Sequence, residues 1–440
     1  MRENMSMAIA LVGIASLAPV ALAAETLPDG FPTQRGRFAF TSAQILANPG
    51  DHAEELEYLS QFDVVLTNGL GIAPEATRDH LQAQGCELFL YFWTNGLYAE
   101  NRVANPPMGD WCDTLVARPR INFIGGVPLP SLAGKPAYYY DLTNGELVDR
   151  LCAEMAKSRA ETGYDGIFFD YTGVYPLPPE VLEVWQREHP DTAYDEGVLD
   201  LLRRLREVDP ECLIFTNQAH RADVPLLAEA DYDLAESLAT SFMWGPETEI
   251  DGEKISETYF RTWPGEFGIE GSYGEPERAA RETPPRRDMF YLDYMQPRYR
   301  TQADEAPEGS LDLEAVYYSY CAAALWGRAA ACSGWYAGHE YRGPLHFADL
   351  GDPLGDGPVE EDGAVVREYQ RGLVVLTAGV DPVSIPYPVA AGEALYDLFS
   401  SAWIEPVDGE CELTLAPGVR SISGEPHPIG RVYLKTSRTN

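Results

Sequence analysis

Short apolar runs of five to seven residues recur along the first three quarters of the chain, separated by stretches with helical spacing. The runs are Gly36–Phe40, Phe62–Thr67 (FDVVLT), Glu87–Trp93 (ELFLYFW), Gly166–Asp170 (GIFFD), Cys212–Asn217 (CLIFTN), Tyr232–Ser237 (YDLAES), Met289–Tyr294 (MFYLDY) and Ala329–Trp335 (AAACSGW). Helical patterns fall at Pro74–Gln84, Asn144–Thr162, Pro179–Val208, Glu253–Arg261 and Leu313–Trp326, and a Pro/Asn/Trp-rich loop covers Thr94–Lys135. Buried parallel strands read as continuous apolar runs, because helices cover both faces of the sheet. Eight such units predict an α/β fold of the (β/α)₈ (TIM) barrel type rather than an open sheet.

After about Val365 the texture changes. Gly372–Thr377, Ala394–Phe399, Glu410–Leu415 and Arg431–Lys435 are short strand patterns split by Pro, Gly and Asp, with no helical pattern between them. They predict a small C-terminal antiparallel β module. The expected organisation is an export signal at 1–23, a barrel domain at 34–362 and the β module at 363–440.

Composition then narrows the function. Of 440 residues, 69 are acidic and 32 basic, giving a formal net charge of −37. A chain so poor in cations is not expected to bind nucleic acid or anionic membranes. Its self-repelling surface is the kind that salt screens, which fits a saline habitat. Met7–Ala23 is apolar and ends in Ala21-Leu22-Ala23, the form of a cleaved signal peptide. The run is short for a membrane span. A secreted or cell-surface location is therefore expected. Seven cysteines show no metal-type spacing; export permits disulfides, and Cys86 with Cys112 is one conceivable pair.

In a (β/α)₈ barrel the active site lies at the C-terminal ends of the strands. Asp170, Asn217 and Glu236 stand at or near the ends of their runs; Asp293 follows FYL, Trp93 ends the third run and Trp335 the eighth. Carboxylates, amides and indoles on one rim suit a sugar site. Hydrolysis of a glycosidic bond needs two carboxyl groups, one ionised and one protonated. Asp170 and Glu236, on the fourth and sixth strands, are expected nearly opposite one another across the mouth. Polar Tyr171 and Thr172 beside Asp170 favour its ionised form, so it is taken as nucleophile. Leu234 and Ala235 before Glu236 favour protonation, so it is taken as acid/base. The reverse assignment stays open, as does a helix-capping role for either carboxylate. Asp293 is a sugar-binding residue or an alternative second carboxylate. Asn217 is expected to bond substrate or Asp170. Trp93, Tyr171, Trp244 and Trp335 are candidate stacking platforms. His220, His339 and His346 lack ligand spacing, so no metal and no cofactor are expected. The absence of a GxSxG elbow, a GxGxxG turn and a P-loop disfavours serine hydrolase, dinucleotide and nucleotide chemistry.

The segments Asp165–Tyr171 (DGIFFDY), Phe215-Thr216-Asn217, Ala235-Glu236-Ser237 and Tyr369–Leu376 resemble TIM-barrel glycoside hydrolases known mainly from genomes. The strand-four element is similar to that of α-galactosidase-like and polygalactosaminidase-like barrels, and the resemblance implies that Asp170 is the nucleophile. The late segment departs from the pattern, with Thr377-Ala378 where Asn-Pro often stands. Two readings follow: a secreted glycoside hydrolase acting on an extracellular oligo- or polysaccharide, or a barrel without catalysis that binds carbohydrate at the cell surface. The second has no need of a protonatable acid at position 236.

Overall fold

The computed structural model describes residues 27, 30–67, 72–99, 111–131, 135–173, 177–241, 245, 247–250, 253–263, 268–295, 313–334, 343–419 and 423–437. The expected export segment lies outside them. Among the described residues no helix is long and apolar enough to cross a membrane.

Eight parallel strands form the central sheet: β1 Gly36–Thr41, β2 Phe62–Thr67, β3 Glu87–Trp93, β4 Gly166–Asp170, β5 Leu213–Asn217, β6 Tyr232–Glu236, β7 Asp288–Met295 and β8 Ala329–Gly334. They pair in chain order from β1 to β8, and β8 comes back alongside β1, so the sheet curls into a nearly closed barrel. Side chains alternate between the barrel interior and the helix layer. The interior holds Phe38, Phe40, Phe89, Phe168, Phe215, Phe290 and Leu292, with Tyr91, Tyr232 and Tyr294. These rings interlock: Phe38 stacks on Phe290 at 4.7 Å, and Phe215 meets Phe89 at 5.2 Å and Phe168 at 5.4 Å. Each such pair contributes about 0.5–1.5 kcal/mol beyond burial of area. The other parity, including Val65, Leu90, Ile167 and Met289, packs on the helices.

The helix after the third strand shows a buried face and caps supplied together by the sequence. Gly145–Thr162 buries Leu147, Val148, Leu151, Cys152 and Met155. Its N-cap Asn144 accepts from the backbone N–H of Glu146 at 3.1 Å, and Gly163 ends it in the left-handed region at φ 71°. Tyr194–Val208 and Pro179–Glu188 divide the long helical stretch between β4 and β5.

Three local expectations are corrected. The segment Thr94–Lys135 is not simply a loop. Gly96–Tyr98 and Leu129–Pro130 both pair with Pro136–Tyr139 in a three-stranded sheet, and Trp111–Val116 is helical. Glu253–Arg261, expected helical, contains two strands, Glu253–Ser256 and Tyr259–Phe260, which pair with Glu247–Ile250 and Thr240–Ser241. Four-residue strands are too short to show a period against a helical one. Among the described residues, which include all seven cysteines, there is no disulfide. Cys86 is buried and its thiol points at the carbonyls of Leu59 and Ser60, so it does not pair with Cys112.

The C-terminal module is antiparallel. Val359–Glu361, Ala364–Tyr369, Gly372–Thr377, Gly430–Ser437, Glu393–Asp397 and Ala402–Ile404 form one sheet in that spatial order. A two-stranded antiparallel sheet, Val383–Pro388 with Glu410–Leu415, packs with it around a core of Leu373, Val375, Ile385, Leu395 and Leu413. The helix Leu313–Ala324 joins module to barrel: Tyr317 donates to the Leu398 carbonyl at 3.1 Å, and Tyr369 of the module donates to the Ala324 carbonyl.

Candidate active site

Parity along the strands decides which polar residues reach the barrel mouth. Asp170 follows inward Phe168 by two residues, Asn217 follows Phe215, and Glu236 follows Leu234. All three therefore point inward at the C-terminal ends of β4, β5 and β6. These strands are consecutive neighbours, so the two carboxylates flank Asn217 on one arc of the rim. They are not opposite across the mouth, as strand counting suggested: the register of three adjoining strands places them side by side.

Asp170 accepts three hydrogen bonds. Asn217 Nδ2 donates to Oδ1 at 2.7 Å, the Tyr171 backbone N–H donates to Oδ1 at 2.9 Å, and Tyr91 OH donates to Oδ2. Burial pushes its carboxyl above the usual range, and these donors oppose the push. Thr172, expected beside Asp170, instead bonds the Asn217 carbonyl at 2.5 Å. Asp170 caps none of the described helices, of which the next begins at Pro179.

Glu236 accepts from Tyr294 OH at 3.0 Å. Its carboxyl is pushed up to about 7, first by burial and then by the nearby charge of Asp170, while Tyr294, Asn217 and Gln218 act in the opposite direction through hydrogen bonds. Asn217 thus donates directly to Asp170 and also lowers the proton affinity of Glu236. Among the described residues, neither carboxylate has an ion pair to Arg or Lys.

The backbone just past these strands is unusual. Tyr171, Gln218 and Ser237 have φ of 59°, 62° and 57°, a left-handed conformation that non-glycine residues seldom adopt. Each is the first residue after its strand. Gly173 follows the same turn, and a Cβ there would lie 1.7 Å from the Gln218 carbonyl oxygen, so only glycine lets the β4 and β5 turns meet.

The remaining expected residues separate. Tyr171 is 37% exposed on the rim. Trp93 sits in register with Asp170 but is buried, packed on Tyr98 at 4.8 Å and Tyr139 at 5.9 Å. It backs the site as a wall rather than offering an open platform. Asp293 is fully buried on the outward face of β7, between inward Leu292 and Tyr294, and its oxygens accept from Ala239 N–H, Thr240 N–H and Ser319. It is removed from the sugar-binding and second-carboxylate roles. Trp244 and Trp335 lie outside the described residues. Sequence reading missed Tyr91, Tyr294, Gln218 and Tyr98. The signal for Tyr91 and Tyr294 was present: in ELFLYFW and MFYLDYM they share the inward parity of the phenylalanines two and four residues before them.

No protein-family model and no curated protein matches the chain. Solved structures do. The glycoside hydrolase domain of PelA from Pseudomonas aeruginosa is 16% identical, with TM-score 0.45 over 71% of this chain and 99% of that one. An Anoxybacillus alpha-amylase is 12% identical, with TM-score 0.48 over 92% of this chain and 98% of the other. Aspergillus fumigatus Ega3, solved with galactosamine, is 12% identical, with TM-score 0.39 over 72% and 98%. At these identities the likeness concerns the fold, and residue roles are argued from this chain alone.

Proposed function

We propose that the chain is a glycoside hydrolase that works with Asp170 as nucleophile and Glu236 as general acid/base. One observation carries the reading. Two inward carboxyl groups, on β4 and β6 with Asn217 of β5 between them, live in different environments. Asp170 is surrounded by three donors that favour the anion. Glu236, with a carboxyl pushed up to about 7, keeps a proton to give at neutral pH. A barrel that only bound sugar would have no use for that arrangement.

Assigning Asp170 as a nucleophile, rather than as a base for water, makes the proposed reaction a retaining one, for which carboxyl groups about 5–5.5 Å apart are expected. In the retaining sequence, Asp170 attacks the anomeric carbon while Glu236 protonates the leaving oxygen. Water then attacks the glycosyl-enzyme, activated by the deprotonated Glu236. The net charge of −37 favours neutral or amine-bearing glycans over uronate or sulfate polymers. The signal-like residues 1–23 support action outside the cell, and the surface charge supports function in high salt.

The test is a panel of aryl glycosides and polysaccharides at low and high salt, with product anomers followed by proton NMR. Turnover by the native chain, its loss in Asp170→Asn and retention of anomeric configuration are expected. A folded Asp170→Asn with native turnover overturns the assignment.

A further inference from the structure

Asp233 and Asp293 are wholly buried carboxylates, and the chemistry proposed above uses neither. Both have the outward parity of their strands. Asp233 lies between inward Tyr232 and Leu234, and Asp293 between inward Leu292 and Tyr294. They face the layer behind the barrel wall, away from any substrate in the mouth. Yet each reaches over the strand end before it and binds the turn there.

Asp233, on β6, binds the turn after β5. Its Oδ1 accepts from Thr216 Oγ1 at 2.7 Å and from Ala219 N–H at 2.9 Å. Its Oδ2 meets His220 Nδ1 at 2.6 Å and His220 N–H at 3.4 Å. The turn so held begins at Asn217, whose amide donates to Asp170 at 2.7 Å, and at Gln218. Asp293, on β7, binds the turn after β6. Its Oδ1 accepts from Ala239 N–H at 3.0 Å and Thr240 N–H at 3.3 Å, and Ser319 Oγ donates to Oδ2. That turn begins at Glu236 and Ser237.

We propose that Asp233 and Asp293 are positioning residues of the carboxylate pair, each a clamp that fixes the backbone from which one site residue projects. The inference rests on the hydrolase reading. Its physical basis is twofold. A left-handed non-glycine residue persists only where its surroundings over-determine it, and Gln218 and Ser237 are the residues at issue. A buried carboxylate accepting backbone N–H groups makes hydrogen bonds about twice as strong as neutral ones, so it is suited to that task. Misplacing a reacting group by about 1 Å costs about 100-fold in rate, so the clamps act on turnover without touching substrate.

The test uses full-length Asp233→Asn and Asp293→Asn, with Thr216→Val and Ser319→Ala as milder variants that each remove one donor. The Asn variants are expected to lose about 10- to 100-fold in kcat with KM within about threefold. The pH midpoint of the Glu236 limb moves as well. The milder variants show the same split at a few-fold, and they decide the matter if the Asn variants do not fold. Hydrogen exchange of residues 218–222 speeds up in Asp233→Asn, and that of 237–241 in Asp293→Asn. Folded variants with native kcat and pH profile, or with losses confined to KM or to the active fraction, overturn the proposal. If the native chain cleaves no glycan, the hydrolase reading fails alone, and unchanged exchange in both segments rejects the clamps.

Discussion

The two ends of the barrel both carry charge among aromatic rings, and they treat it in opposite ways. At the N-terminal end several carboxylates are paired with guanidinium groups. Arg287 donates to Glu87 at 2.6 Å, with Tyr232 OH completing the group at 2.8 Å. Arg328 grips Glu277 at 2.8 and 3.0 Å and reaches Asp288 at 3.1 Å, and Arg37 binds Asp288 from the other side. At the C-terminal end the partners of Asp170 and Glu236 among the described residues are tyrosines, an amide and a backbone N–H group. Satisfied ion pairs hold the base of the barrel together. Carboxyl groups left without a cation keep shifted proton affinities, and that is the property a hydrolytic pair needs.

This contrast can be broken in several ways. The largest effect belongs to the rim. Asp170→Asn should lower kcat by about 10⁴-fold or more while leaving the melting temperature equal or higher, because a buried charge has been neutralised; steady-state kinetics and calorimetry check it, and a large drop in stability would contradict it. At the base, Arg328→Met leaves Glu277 buried and unpaired and should cost about 3–5 kcal/mol of stability. Its turnover per folded molecule should stay native, as a denaturant titration with active-site counting would reveal.

A smaller effect separates the ends by pH. Glu236 must be protonated to act as acid, so kcat/KM should fall as pH rises through about 7. Its folded proton affinity exceeds its unfolded one, so folding stability is greatest below the ordinary glutamate range and declines as pH climbs to about 7. Glu236→Gln should flatten that slope in melting curves taken from pH 4 to 8. The smallest effect is that of Tyr294→Phe. Losing a donor that lowers the Glu236 affinity should move the activity limb upward by a fraction of a unit and cost less than tenfold in rate.

Most of the barrel was legible because its strands are apolar runs separated by stretches of helical spacing. All eight stand where the hydrophobic pattern puts them. The helix Ile269–Glu282 was not legible, since Gly271, Gly274 and Pro276 interrupt its pattern. The sheet formed by Gly96–Tyr98 and its partners was hidden for another reason: strands of two to four residues carry no period. At the site, Asp170, Asn217 and Glu236 could be picked out as polar ends of apolar runs. Asp293 looked the same by position and differs only in parity, which counting back from Leu292 would have exposed. The convergence of Asp170, Asn217 and Glu236 on one arc of the rim depends on how three strands are staggered, and the separate runs do not encode that stagger individually.

The three left-handed residues at 171, 218 and 237 suggest a trade-off for anyone seeking a hardier version of this molecule. Glycine at Ser237 would relieve about 1 kcal/mol of conformational penalty in the native state, although it also loosens the denatured chain. Such a replacement would let the loop after the sixth strand sample more shapes, so tolerance to heat and speed of reaction would pull against each other at a single, non-reacting position.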